Sequence, residues 1–151
     1  MLADEAFDLA RDVDLGIALG FVLVIDGLAQ LELGRPAAAW GLLIEHLRFM
    51  RDRYPDPMLI GDSLAQLAAV RAALGDDESA ARTWGAASAI HTDQGIEPDR
   101  RRPRTNQLRL DATRQRLGPD RFDTLTLAGS INPDRIIEAI LTDPHPTPPP
   151  S

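Results

Sequence analysis

This chain has no cysteine and no lysine. Without cysteine there is no disulfide framework and no thiolate zinc site. Without lysine there is no phosphate loop of the G-x-x-x-x-G-K-[ST] type and no Schiff-base nucleophile. All 16 basic residues are therefore arginine, and 23 acids outnumber them to leave a net charge of −7. A negative field of that size repels a phosphate backbone, so nucleic acid is not expected as a whole-surface partner. Aromatics are only 5% of the chain, and alanine and leucine take their place. Small alanine contacts suit closely packed helices better than a β-sandwich, which favours β-branched and aromatic residues. Long apolar runs are missing too. The longest charge-free stretch, Leu15–Ile25, has 11 residues, too few to span a bilayer. The residues before it are acidic (Asp4, Glu5, Asp8, Asp12, Asp14), unlike the basic flank of a signal peptide. A cytoplasmic location without a membrane partner is the expectation.

The chain nearly repeats one motif. Leu33-Gly34 is followed by Ala37-Ala38-Ala39-Trp40-Gly41, and Leu74-Gly75 by Ala80-Ala81 and then Trp84-Gly85. Each copy ends an apolar segment in glycine, turns, and opens another with small residues and a tryptophan, as helical-hairpin repeats do. The Leu-Gly pairs lie 41 residues apart and the Trp-Gly pairs 44, so the second elbow is longer.

Punctuation by glycine and proline divides the rest. A short helix is expected over 3–13, with Phe7 and Leu9 or Ala10 inward. Residues 15–33 read as one helix, apolar on nearly every side and therefore expected at the centre. Gly16 and Gly20 share a face that would admit a neighbouring helix. The next helix runs to Tyr54 with a stripe of Trp40, Leu43, Ile44, Leu47, Met50 and Tyr54. Asp56-Pro57 opens a helix to Leu74, and Asp76-Asp77-Glu78 opens one that stops at Gly95. After a loop over 96–103 come helices 104–117 (Leu108, Ala112 and Leu117 inward), 119–128 (Phe122, Leu125, Leu127) and 132–141, the last expected to cap one end. Residues 143–151, five of them proline, are expected as a disordered tail beyond one domain over 1–142. The total is about seven helices joined by short connections.

The stretch Ser63–Ile90, the downstream Leu117-Gly118 and Phe122, and the capped helix over 132–141 resemble the C-terminal region of actinobacterial LuxR/MalT-like transcriptional regulators. Most of these carry a signalling ATPase and some a cyclase-like module. The resemblance covers residues 1–142 and is strongest over 62–141. It implies an all-α, tetratricopeptide-like array of antiparallel helix pairs with C-terminal capping helices. Trp84 and Ser88 depart from the family pattern, which has a smaller or aliphatic residue and a glutamate there. No ATPase loop and no helix-turn-helix DNA reader is present, so the resemblance implies a fragment, a degenerate gene or a stand-alone sensing piece.

Arg100, Arg101, Arg102, Arg104, Arg109, Arg114 and Arg116 form the one basic stretch, with only Asp111 against them. It can be read as an anion or nucleic-acid patch. The favoured reading is a solvated helix face pairing with the acidic first half, because no aromatics interleave it. His46, His91 and His145 lack metal-ligand spacing and read as seam or surface histidines. Trp40 and Trp84 continue their helices' apolar stripes and read as packing. The acids at 76–78 read as helix capping, and the proline tail as a plain terminus and not a P-x-x-P ligand. The expectation is thus a non-catalytic module without cofactor or metal that binds a protein partner, an upstream regulator domain or a small ligand. A homodimer through the N-terminal apolar end is expected as well, since helix 3–13 is too small to cover the helix after it.

Overall fold

The computed structural model describes residues 16–53, 55–98 and 104–142, and these form seven α-helices and no strand. They are α1 (Gly16–Glu32), α2 (Pro36–Arg53), α3 (Pro57–Ala73), α4 (Asp77–Asp93), α5 (Arg104–Leu117), α6 (Pro119–Ile131) and α7 (Pro133–Thr142). The expected helix over 3–13, Tyr54, Arg100 to Arg102 and the tail over 143–151 lie outside the described residues.

The elbows follow from backbone hydrogen bonding. At the ends of α1, α3 and α4 the chain reverses through Gly34, Gly75 and Gly95, with φ of 73°, 83° and 72°. At each, the residue after the glycine donates its amide five residues back: Arg35 to Gln30, Asp76 to Arg71, Ile96 to His91. This bond satisfies a carbonyl the helix end leaves open, and the left-handed φ makes glycine the cheapest residue there. Asp56 and Asp76 cap the next helices, accepting from the amides of Leu59 at 3.2 Å and Ser79 at 3.3 Å.

Such elbows make antiparallel pairs. In the first, Gly20 faces His46 and Met50, and Gly27 faces Leu43. In the second, Gly61 faces His91, and Arg71 reaches Thr83. A third antiparallel contact joins α4 to α6, where the backbones touch. A Cβ on Gly85 would overlap the carbonyl of Thr126, and one on Gly129 would overlap the carbonyl of Arg82.

The centre is α3, not α1. Eleven residues of α3 are buried, on nearly all its sides. The most apolar segment packs on α2, touches α3, and meets α5 at its end through the Arg109–Glu32 pair. Phe21, Val22 and Ile25 are 50%, 53% and 61% exposed. All-round hydrophobicity in α1 reflects two separate stripes. Gly20, Leu23, Gly27 and Leu31 turn toward α2, while Ala18, Phe21, Val22, Ile25 and Ala29 face outward.

Other faces were rotated or extended. In α5 the buried positions are Asn106, Leu110 and Thr113, with Leu117 packed against the core, whereas Leu108 is exposed. Polar residues take part of the inner face: Thr113 Oγ1 donates to Asp77 and Asn106 Oδ1 accepts from Arg109, while Asn106 Nδ2 is buried with no hydrogen-bond partner among the described residues. Helix α6 continues past 128 to Ile131, since Gly129 is pressed onto α4, and Leu127 is exposed. Helix α7 buries Ile137, Ile140 and Leu141, lies mainly on α4 and reaches back to α2, where Arg51 Nη1 is 2.9 Å from Glu138. Five residues of the expected stripe of α2 are buried (Trp40, Leu43, Ile44, Leu47 and Met50), and the sixth, Tyr54, lies outside the described residues.

Candidate functional site

Three of the four described arginines of the basic stretch are bound into the fold. Arg104 is exposed at the start of α5. Arg109 pairs with Glu32 at 3.0 Å, Arg116 with Asp77 at 2.7 Å, and Arg114 with Asp123 at 3.5 Å. Two of the three carboxylates lie in the acidic first half of the chain. The guanidiniums beside them hold Glu32 and Asp77 below the usual carboxylate range, chiefly through the hydrogen bonds of Arg109 and Arg116. The acids at 76–78 are likewise structural. Asp76 is an N-cap, Asp77 joins Thr113 and Arg116, and Glu78 accepts from Arg121 at 2.9 Å, which depresses its pKa.

Trp40 and Trp84 both belong to the core cluster. Trp40 is 1% exposed, and the Arg71 guanidinium lies over its ring, 4.9 Å from the centroid. The two rings are seam residues.

The histidines form the least expected arrangement. His46 on α2 and His91 on α4 are each 1% exposed, and Asp62 on α3 sits close enough to act on both. His91 Nε2 donates to Asp62 Oδ1 at 2.9 Å. Neither ring nitrogen of His46 has a hydrogen-bond partner among the described residues. Burial therefore dominates its ionisation. Desolvation lowers its pKa from 6.5 to about 4, against a smaller opposing pull from the Asp62 charge. Each imidazole needs a glycine on the facing helix. A Cβ on Gly61 would come within 2.6 Å of His91 Nε2, and one on Gly20 within 3.3 Å of His46 Nε2. Gly20 and Gly61 are 41 residues apart, the same step as the Leu-Gly elbows. The near-repeat thus extends to a Gly–His contact in each pair, a signal present in the sequence but invisible without the pairing. Asp62 has no counterpart in the first pair, where Phe21 follows Gly20. No group of three or more His, Asp or Glu among the described residues is arranged to hold a metal ion. His145 lies outside the described residues.

Two surface hollows lie among the described residues. One, of about 500 Å³, lies along α1 and α2, with Leu19, Leu23 and Phe49 at its base and Glu45, Arg48 and Asp52 along its rim. The other, of about 280 Å³, lies where α4, α5 and α6 meet. No described helix is long and apolar enough to cross a membrane. Comparison with family models, with curated proteins and with solved structures found no match.

Proposed function

We propose that this chain is a non-catalytic, cytoplasmic protein-interaction module, a tetratricopeptide-like array of helix pairs akin to the C-terminal region of LuxR/MalT-like transcriptional regulators. The observation that supports it is the second apolar stripe of α1. In arrays of stacked helix pairs each helix buries one stripe in its own pair and another against the next pair, and an end without a polar outer face needs covering. Helix α1 carries both stripes, and the outer one is exposed from Ala18 to Ala29. Burying side chains such as Phe21, Val22 and Ile25 is worth about 1.5–3 kcal/mol each when burial is complete. That gain is open to a partner helix with a matching stripe.

In the isolated chain the available partner is a second copy. Where α1 meets α2, beside Leu19 and Leu23, charges alternate along α2 (Glu45, Arg48, Asp52, Arg53), with Asp52 also held by Arg51, and such a pattern meets its own complement when two copies approach about a two-fold axis. Sedimentation velocity over a range of concentrations tests this. A dimer is expected for the native chain, and a monomer with unchanged far-UV circular dichroism for the Val22→Glu, Ile25→Glu double variant. A native chain that stays monomeric at high concentration refutes the reading.

A further inference from the structure

The smaller hollow has a built chemical character. Trp84, Leu110 and Phe122 form its floor, all more than nine-tenths buried. Asp111 on α5 and Asp123 on α6 line it and are exposed residues, so two carboxylates stand at its mouth. Thr126 also lines it. One cation is already there: the Arg114 guanidinium lies over the Phe122 ring, 5.6 Å from its centroid, with Nη1 3.5 Å from Asp123 Oδ1. This contact is longer than the pairs made by Arg109 and Arg116 from the same helix, at 3.0 Å and 2.7 Å. Those arginines and Arg114 all pair with other acids, which leaves Asp111 without a cation among the described residues.

We propose that this hollow binds a cationic group on a short carbon chain, a guanidinium or alkylammonium, and that Arg114 is its internal competitor. An aromatic face attracts a cation, and carboxylates at the rim form charge-assisted hydrogen bonds with its N–H groups. At about 280 Å³ the space is smaller than a drug-sized pocket and suits one side chain or a small amine. Arg114 is half-exposed, and an exposed pair contributes little, so the side chain swings into water when an outside cation arrives. The opposite reading makes Arg114 a ligand for an anion. The two differ in sign at a single residue.

Isothermal titration of the full chain and of its Arg114→Ala variant separates them. The probes are agmatine, a capped Gly-Arg-Gly peptide and inorganic phosphate. Removing Arg114 is expected to tighten binding of a guanidinium probe by about ten-fold or more. Adding Asp111→Asn to that variant is expected to abolish the gain. Tighter agmatine than peptide assigns a free small cation; the reverse assigns an arginine of a partner protein. The proposal is overturned if Arg114→Ala binds neither guanidinium probe at about 10 mM, a ceiling set by millimolar affinities. Phosphate binding that disappears with Arg114 overturns it as well, as does indifference to Asp111→Asn. If Arg114→Ala fails to fold by circular dichroism, Arg114→Gln serves the same comparison. The hollow shares no residue with α1, so this test and the self-association test succeed or fail independently.

Discussion

His46 makes the stability of this protein depend on pH in a calculable way. The folded chain holds its imidazole neutral, with a pKa near 4, whereas the unfolded chain releases it to the ordinary 6.5. Below pH 6.5 the unfolded state takes up a proton that the folded state refuses, so acid favours unfolding. The gap of about 2.5 pH units, at 1.36 kcal/mol per unit, amounts to about 3 kcal/mol once pH falls through the folded value. Between pH 7.5 and pH 5 the share already lost is about 2 kcal/mol. This window isolates His46 from the carboxylates. Glu32 and Asp77 have lowered pKa values, so the stability they contribute persists down to more acidic solution. The assay is urea unfolding at pH 7.5 and pH 5 for the native chain and for His46→Met. Methionine fills the space beside Gly20 and Met50 without an ionisable group. It also removes two buried nitrogens with no partner among the described residues, so the variant is expected to match or exceed the native chain at pH 7.5. The native chain is expected to lose about 2 kcal/mol more than the variant on acidification. Equal losses refute the reasoning, and so does an NMR titration of the His46 ring with a midpoint above 6.

Two further tests concern glycine and the Asp62 contact. Gly85→Ala and Gly129→Ala each drive a methyl into a facing backbone carbonyl, and each is expected to destabilise by about 1–3 kcal/mol in thermal melts. Gly41→Ala meets nothing within 4 Å on an exposed position of α2 and is expected to stabilise by up to about 1 kcal/mol, a contrast that fails if all three behave alike. Asp62→Ala leaves His91 Nε2 buried without its acceptor and is expected to cost about 1–3 kcal/mol by denaturant titration at pH 7.5. Asp62→Asn keeps an acceptor and is expected to lose less.

Helix ends were legible because they rest on local chemistry. Gly34, Gly75 and Gly95 are elbows wherever the chain must take a positive φ, and Asp56 and Asp76 cap because a short carboxylate reaches the third amide. The stripe of α2 was legible for a similar reason: periodicity tells which residues share a face. Periodicity does not tell what covers that face. Helix α1 has apolar residues on two sides, and nothing within it distinguishes a central position from an edge bearing a spare stripe. Helix α5 shows the converse. Its inner face is set by Asn106 and Thr113, whose partners are Arg109 nearby and Asp77 on another helix, while Leu108 is left in water. The Gly85–Gly129 crossing and the histidine seats beside Gly20 and Gly61 were illegible for one reason. A glycine inside a helix reads as a weakness until the facing backbone or imidazole is known. Trp84, read as a packing residue, proved to be both that and the floor of a hollow, since only the meeting of three helices creates the space above it.

The crowding around α4 has a kinetic consequence. This helix is packed against α3, α5, α6 and α7, and at Gly85 it has no slack at all. With four helices packed on it, its amide hydrogens are expected to exchange mainly through openings of the core. Helix α1 leans chiefly on α2, and its amides can exchange through a partial opening that spares the rest. Deuterium uptake should therefore run as a gradient through the molecule. It would be fast in α1 and slowest in α4, and if the proposed partner binds on α1, the gradient would flatten from that end.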